Sequence, residues 1–409
     1  MKFIHTADLH LDTPFEGLKS NSETPKSFWN ELYQSPYQSF KKIVRDAIKE
    51  SVDFILIVGD IFDSKNQSIA AISFFIDQMM ILDKANIPVF LSFGNHDFQA
   101  NGFDKFDFPK NVFVFDDSIT TKSISLKNGE TVGITGFSYA TQAVTEDKVV
   151  EFPSKSNFDF QIGMVHGAIK TGENSNYAPF TIGEMLNKGY DYWALGHIHK
   201  RQELNQKPMI EYPGDIQGRH KNEAGEKGYL LINENQGELT KKFVPTSAVV
   251  FSNFELTIYK DTNVNDLFVI LNQKLREQSF PKLNLINLIL KTNETFNSEI
   301  NSSFQNDILL SNIQSKLVNE YQDLNVWIYD IKLSQTQVQQ FSSLDQEFWE
   351  STKSEVFNQA NVDKIAQKLF KNDFIRNNFS DANKLQELLM DSESLLNTEI
   401  EGDDAQNEN

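Results

Sequence analysis

Residues 54–63 read Phe54-Ile55-Leu56-Ile57-Val58-Gly59-Asp60-Ile61-Phe62-Asp63: five apolar residues, then a glycine, then two carboxylates three apart. An apolar run this short, with no polar alternation, predicts a strand buried on both faces, as in sheets covered by helices. Val89-Phe90-Leu91-Ser92-Phe93, Ile162-Gly163-Met164-Val165 and Tyr192-Trp193-Ala194-Leu195 have the same form. Around the first of these runs, Phe40, Ile43, Val44, Ala47 and Ile48 recur at helical spacing over 40–51, and residues 69–85 repeat the pattern. Residues 1–245 are therefore expected to form an α/β layered fold.

After Pro245 the pattern restarts as strand 254–259, helix 264–277, strand 285–291, helix 304–321 and strand 326–333. This predicts a smaller α+β domain over 246–335. From Ser342 the residues read as helical, with Phe348, Trp349, Val356, Ile365, Leu369 and Phe370 as apolar anchors, giving a helical C-terminal region over 336–390. Such helices either pack on their own chain or bind a partner. Residues 391–409 hold seven acids and no Lys or Arg, the composition of a disordered, solvated tail.

Charge and cysteine usage narrow the function. The 409 residues carry 38 basic and 57 acidic side chains, a net charge of −19. That balance argues against a protein held to nucleic acid or anionic membrane by charge alone. It leaves open a phosphate-handling enzyme whose positive charge comes from bound divalent cations. The excess is uneven: 25 basic and 32 acidic residues precede the boundary at Pro245, 13 and 25 follow it. The absence of Cys excludes disulfides, zinc-thiolate sites, iron–sulfur clusters and cysteine nucleophiles. No run approaches eighteen apolar residues, and Met1 to His5 leads straight into a strand-like stretch, so a cytoplasmic protein without a membrane segment is expected.

Each informative polar cluster begins where a strand run stops. Phe3-Ile4 leads into His5-Thr6-Ala7-Asp8-Leu9-His10, the 54–58 run into Gly59-Asp60 and Asp63, and the 89–93 run into Gly94-Asn95-His96-Asp97. The 162–165 run ends at His166-Gly167 and the 192–195 run at Gly196-His197-Ile198-His199. In an α/β sheet the carboxyl ends of adjacent strands meet at one edge, so five clusters imply one shared site. Asp, His and Asn are ligands for borderline and hard divalent metals. Five of the seven histidines, His10, His96, His166, His197 and His199, fall in these clusters, with His5 adjacent. Taken singly, any of these residues could equally be a cap or a satisfied core group; the ordered set is what points to a metal centre.

Asp-x-His, Gly-Asp-x-x-Asp, Gly-Asn-His-Asp, His-Gly and Gly-His-x-His, in that order, resemble the calcineurin-like metallophosphoesterases over nearly all of residues 1–245. The stretches 7–15, 58–63 and Tyr212-Pro213-Gly214-Asp215-Ile216-Gln217-Gly218-Arg219-His220 are similar to the DNA-repair exonucleases of the YhaO and SbcD group, relatives of the nuclease subunit of the double-strand-break repair complex. Asp215 stands where that group often has Ser. The resemblance implies a layered β-sandwich flanked by helices, with residues 246–335 as a capping domain. It implies one metal held by Asp8, His10, Asp60 and His199 and a second by Asp60, Asn95, His166 and His197, with Asp60 bridging. A shared carboxylate holds two cations about 3.5–4 Å apart, close enough to engage one phosphate and activate a water.

By the same resemblance His96 is the non-ligand catalyst that protonates the leaving group, with Asp97 orienting its ring. Asp63 is expected either to support a ligand or to cap the following helix. Arg219 and His220 either contact substrate phosphate or form a solvated basic turn. The expected cofactors are two divalent ions, manganese ahead of magnesium. DNA is the expected substrate, and a homodimer working with a coiled-coil ATPase of the SMC type is the expected assembly. The chain has no phosphate-binding loop of its own and no heptad stretch long enough for a coiled-coil arm. The alternatives are a phosphodiesterase or phosphatase acting on small nucleotides, and a catalytically idle scaffold.

Overall fold

The structure, a computed structural model, describes residues 1–15, 25–63, 67–99, 106–170, 176–293, 296–306, 308–335 and 358–368. Two six-stranded sheets form a sandwich. The first has the order β12-β11-β1-β2-β3-β4, built from β1 (Lys2–Thr6), β2 (Phe54–Val58), β3 (Val89–Ser92), β4 (Val112–Val114), β11 (Gly228–Asn235) and β12 (Glu238–Pro245). The second has the order β5-β6-β7-β8-β10-β9, from β5 (Thr120–Ser125), β6 (Thr131–Gly136), β7 (Phe160–His166), β8 (Tyr192–Gly196), β9 (Gln202–Gln206) and β10 (Met209–Tyr212). Strands β1 to β4 are parallel, as are β6, β7, β8 and β10; antiparallel strands close three of the four edges, and β4 is the parallel one.

Side-chain alternation explains why these runs are apolar throughout. Phe54, Leu56 and Val58 point between the sheets, against Val132, Ile134, Ile162 and Met164. Ile55 and Ile57 point outward, under α1 (Lys26–Glu50) and α2 (Ile69–Lys84), against Phe40, Val44, Phe75 and Met79. On the far side, Val165, Trp193 and Leu195 pack against Phe152, Phe180 and Met185 of α3 (Ile182–Asn187) and its neighbours.

Helix α1 begins 14 residues before the 40–51 stretch that periodicity marks, and runs through Pro36. A proline there strands the carbonyl of Leu32. The Ser35 hydroxyl takes over, donating to Leu32 O at 2.6 Å, so the helix continues.

The third sheet has three parallel strands, β13 (Val249–Thr257), β14 (Leu283–Thr292) and β15 (Val326–Gln335), in that order. Helix α4 (Val264–Arg276) makes the first crossover, with Leu267, Leu271 and Leu275 buried against Leu288 and Leu290. The helix expected over 304–321 is instead three pieces, α5 (Ser298–Gln305), α6 (Ile308–Leu317) and α7 (Tyr321–Leu324). The other face meets the start of α1 through Phe28, Leu32, Phe251, Leu285 and Trp327. All of this belongs to one unit, Met1–Thr336.

The second unit spans Gln337–Asn409, and its described part holds α8 (Gln359–Ile365). Ile365, read as an anchor, is 84% exposed. Phe348, Trp349, Val356, Leu369, Phe370 and the acidic tail lie outside the described residues. Among the described residues no helix is long and apolar enough to cross a membrane.

Candidate dinuclear metal centre

The chain leaves β1, β2, β3, β7 and β8 at one edge of the sandwich, and there it takes up costly backbone conformations. Asp8, His10, Asp60 and His197 have φ of 51°, 43°, 49° and 94°. Each left-handed non-glycine residue costs on the order of 1–3 kcal/mol and persists only where surroundings over-determine it. Neighbouring loops do so here: Asp8 N–H donates to Gly59 O at 3.2 Å and His10 N–H to Asp60 O at 3.0 Å. Gly59 and Gly94 allow the approach of side chains that any Cβ would block. A Cβ at Gly59 would stand 2.2 Å from His166 Nδ1, and one at Gly94 would stand 2.2 Å from Asp60 Oδ1.

Two ligand groups result. Asp8, His10 and His199 form one and Asp60, His166 and His197 the other, with donor atoms in each group within 4.8 Å of one another. Asn95 joins the second, its Oδ1 3.0 Å from both His166 Nε2 and His197 Nδ1. His10 Nε2 faces His199 Nε2 at 3.2 Å. Between the groups lies Asp60 Oδ2, buried with no hydrogen-bond partner, 3.4 Å from His166 Nε2 and 3.9 Å from His10 Nε2.

Burial, then the Arg219 charge, push the pKa of His10 down to about 3. Burial, then His166, do the same to His197, so both rings are neutral with lone pairs available. His166 moves the other way: burial opposes its cation, but Asp60 and Asp8 push its pKa up to about 9. The centre thus offers neutral imidazoles, an orphaned carboxylate oxygen and opposed nitrogens. Oxygen and imidazole donors without thiolate suit divalent cations, and these residues fit two of them sharing Asp60.

The structure reassigns the support of His96. Its N–H donates to Asp60 Oδ1 at 3.0 Å, and its ring Nδ1 lies 2.8 Å from the main-chain carbonyl of Asp63. Asp97 does not orient that ring. Its buried carboxylate accepts the main-chain N–H groups of Ile61 (2.6 Å), Phe62 (3.2 Å) and Gly94 (2.8 Å), which ties the β2 loop to the β3 loop.

Asp63 does not cap α2; Ser68 does, with Asp12 accepting the Ser68 N–H. Asp63 Oδ1 instead lies 3.4 Å from His10 Nδ1, at ion-pair range, and accepts from Arg219 Nη1 at 2.6 Å. Arg219 is therefore no solvated turn residue: its side chain is 13% exposed and already paired behind the centre. His220 is exposed, with Nε2 3.1 Å from Glu223 Oε1.

Sequence reading missed Glu223 and Tyr177. Glu223 is buried, and its Oε1 lies 2.7 Å from His199 Nδ1. Tyr177 packs its ring on His197 with centroids 4.4 Å apart. No spacing rule reports either, because both reach the centre from loops far along the chain. Asp215 is also buried, 3.1 Å from Lys227 Nζ.

A helix-flanked sandwich whose strand ends gather two imidazole-and-carboxylate groups around a buried, unpartnered carboxylate oxygen matches the class of metal-dependent phosphoesterases. The chain belongs to the calcineurin-like phosphoesterase family, whose model matches residues 1–201. It is 35% identical over 287 residues to a Bacillus subtilis protein described as the uncharacterized metallophosphoesterase YhaO, covering 69% of this chain and 70% of that one. A Thermoplasma acidophilum DNA double-strand break repair protein, Mre11, is 28% identical over 51% of this chain and 59% of its own length. The D component of the nuclease SbcCD from Staphylococcus epidermidis is 26% identical, covering 60% of this chain and 69% of its own. The chain thus spans about six tenths of the archaeal relative.

Proposed function

We propose that the chain is a DNA-repair exonuclease, with endonuclease activity, that hydrolyses phosphodiester bonds using two divalent cations, manganese ahead of magnesium. The observation that carries the hydrolytic reading is Asp60 Oδ2, buried and unpartnered between two imidazole-and-carboxylate groups. The nuclease reading is supported by the relatives named for DNA repair and for nuclease activity.

Asp8, His10, Asp60 and His199 would hold one cation, and Asp60, Asn95, His166 and His197 the other. Bound there, a cation pair polarises a phosphate oxygen and lowers the pKa of a water. The remaining work is done by the chain. With Nδ1 donating to the Asp63 carbonyl, His96 keeps Nε2 for the leaving oxygen, and the ring form that carries a second proton, on Nε2, delivers it and is left neutral with its proton on Nδ1. Residues 1–245 carry a net −7, so DNA is held through the cations, through dimerisation, or through an ATPase partner of the SMC type rather than by surface charge. A cytoplasmic location is part of the same reading.

End-labelled linear DNA and a chromogenic diester, assayed side by side with Mn²⁺, test it. Release of nucleotides from DNA is the expected result. Activity confined to the small diester overturns the nuclease reading in favour of a small-nucleotide phosphodiesterase. Fewer than two cations bound under Mn²⁺ saturation would instead favour an idle scaffold.

A further inference from the structure

We propose that Glu223 is a positioning residue that selects the tautomer of His199 and makes the Asp8–His10–His199 half of the centre the tighter of its two cation sites. The inference rests on the two-cation reading of the centre and is independent of whether DNA is the substrate.

An imidazole binds a cation through a bare nitrogen, so its other nitrogen must carry the proton and find an acceptor. His199 presents Nε2 to the centre, 3.2 Å from His10 Nε2. Its Nδ1 faces two groups that ask for opposite tautomers. Glu223 Oε1, at 2.7 Å, can only accept, which puts the proton on Nδ1 and leaves Nε2 bare. Arg219 Nη2, at 3.1 Å, can only donate, which puts the proton on Nε2 and blocks coordination.

The shorter, charge-assisted contact prevails, and the surroundings hold it in place. Glu223 Oε2 accepts the Arg219 main-chain N–H at 2.7 Å, and the Arg219 guanidinium is engaged by Asp63 Oδ1 at 2.6 Å. Asp63 in turn lies behind His10, the other imidazole of the same half. His199 is therefore hydrogen-bonded to a carboxylate, whereas Asp63 Oδ1 stands 3.4 Å from His10 Nδ1 without a hydrogen bond.

The other half is built differently. His166 Nδ1 donates to a main-chain carbonyl, Val58 O, at 3.0 Å, and Asp8 lies 3.9 Å away, beyond hydrogen-bond reach. His197 is held by the ring of Tyr177. A hydrogen bond to a carboxylate is roughly twice as strong as one to a neutral carbonyl, and it raises the basicity of the coordinating nitrogen further. The two halves should differ in affinity, with the carboxylate-backed half filling first.

Calorimetric titration of Mn²⁺ into the chelator-treated full chain, followed by electron paramagnetic resonance, reads this directly. The wild type should give two affinity classes, with a spin-coupled signal only as the second fills. Glu223→Gln should weaken the tighter class roughly 10- to 100-fold and leave the other within about threefold. His197→Ala, which damages the opposite half, should keep the tighter class, and adding Glu223→Gln should then weaken that class by the same factor. Nitrogen-15 spectra of the chelator-treated wild type at pH 8 need no variant that must fold, and should find the His199 proton on Nδ1. Equal effects on both classes, no effect on either, loss of the tighter class in His197→Ala, or a proton on Nε2 each overturn the proposal. Fewer than two Mn²⁺ in the wild type sinks the two-cation reading and this inference with it; two classes indifferent to Glu223→Gln sink this inference alone.

Discussion

His96 is held by the main-chain carbonyl of Asp63, 2.8 Å from its Nδ1, and not by the carboxylate that follows it in the chain. A carbonyl can only accept, so Nδ1 carries a proton and Nε2 is left free to exchange one. The residue whose N–H donates to Asp60 is thus oriented by the loop that lies beside His10. A shift of that loop would move an imidazole ligand and the proton donor together.

Replacing His96 separates binding from turnover. In His96→Ala both cations should remain bound, since His96 contributes only its main-chain N–H to Asp60. Turnover of a phosphodiester should fall by on the order of 10²-fold or more, as expected when a positioned general acid is lost. Metal content by mass spectrometry together with steady-state rates checks both halves. An active variant removes His96 from the mechanism.

Asp97 predicts the opposite profile. Its carboxylate satisfies three buried main-chain N–H groups, and each stranded group costs about 1–3 kcal/mol. Asp97→Ala should lose roughly 3 kcal/mol or more of stability in urea unfolding of the chelated protein, whereas His96→Ala should stay within about 1 kcal/mol. Equal stability of the two variants would return Asp97 to a role at the ring.

Asp60→Asn tests the bridge. The amide preserves shape and can still accept the His96 N–H, but it cannot supply two anionic oxygens. Mn²⁺ stoichiometry should drop below two, with a loss of affinity larger than the roughly 10- to 100-fold typical of losing an outer partner. Equilibrium dialysis gives the count; two tightly bound ions would show that Asp60 does not bridge.

Much of this candidate centre could be read from sequence because the residues that could hold cations sit at strand ends, where main-chain geometry and residue type coincide. Asp8, Asp60, Asn95, His166 and His197 follow directly from the runs that stop before them. Glu223, Tyr177 and the real partners of Asp63 and Arg219 could not be read that way. Their roles depend on loops brought together across the chain, and Arg219 to Asp63 spans 156 residues. The start of α1 was hidden for a local reason, since Pro36 reads as a helix stop unless the Ser35 hydroxyl is seen to replace the missing donor. The break of 304–321 into three short helices was hidden because apolar periodicity continues across it.

A pH effect should come from the far side of the sandwich. Glu211, on β10, is buried and bonds Lys241 of β12, which also bonds Glu203 of β9, so one lysine joins the edges of both sheets. Burial pushes the pKa of Glu211 up to about 7 from 4.5, against the pull of Lys241. Between those values the folded chain holds a proton that the unfolded chain has released. The contribution of this group to stability therefore falls as pH rises through that window and is fully lost above it. Glu211→Gln copies the protonated side chain and should abolish that slope. Relative to wild type, the variant should be nearly neutral at pH 5 and gain on the order of 1–3 kcal/mol by pH 8, read from urea unfolding with chelator present. A difference that stays flat from pH 5 to 8 would mean that Glu211 titrates in the ordinary carboxylate range, with Lys241 offsetting its burial.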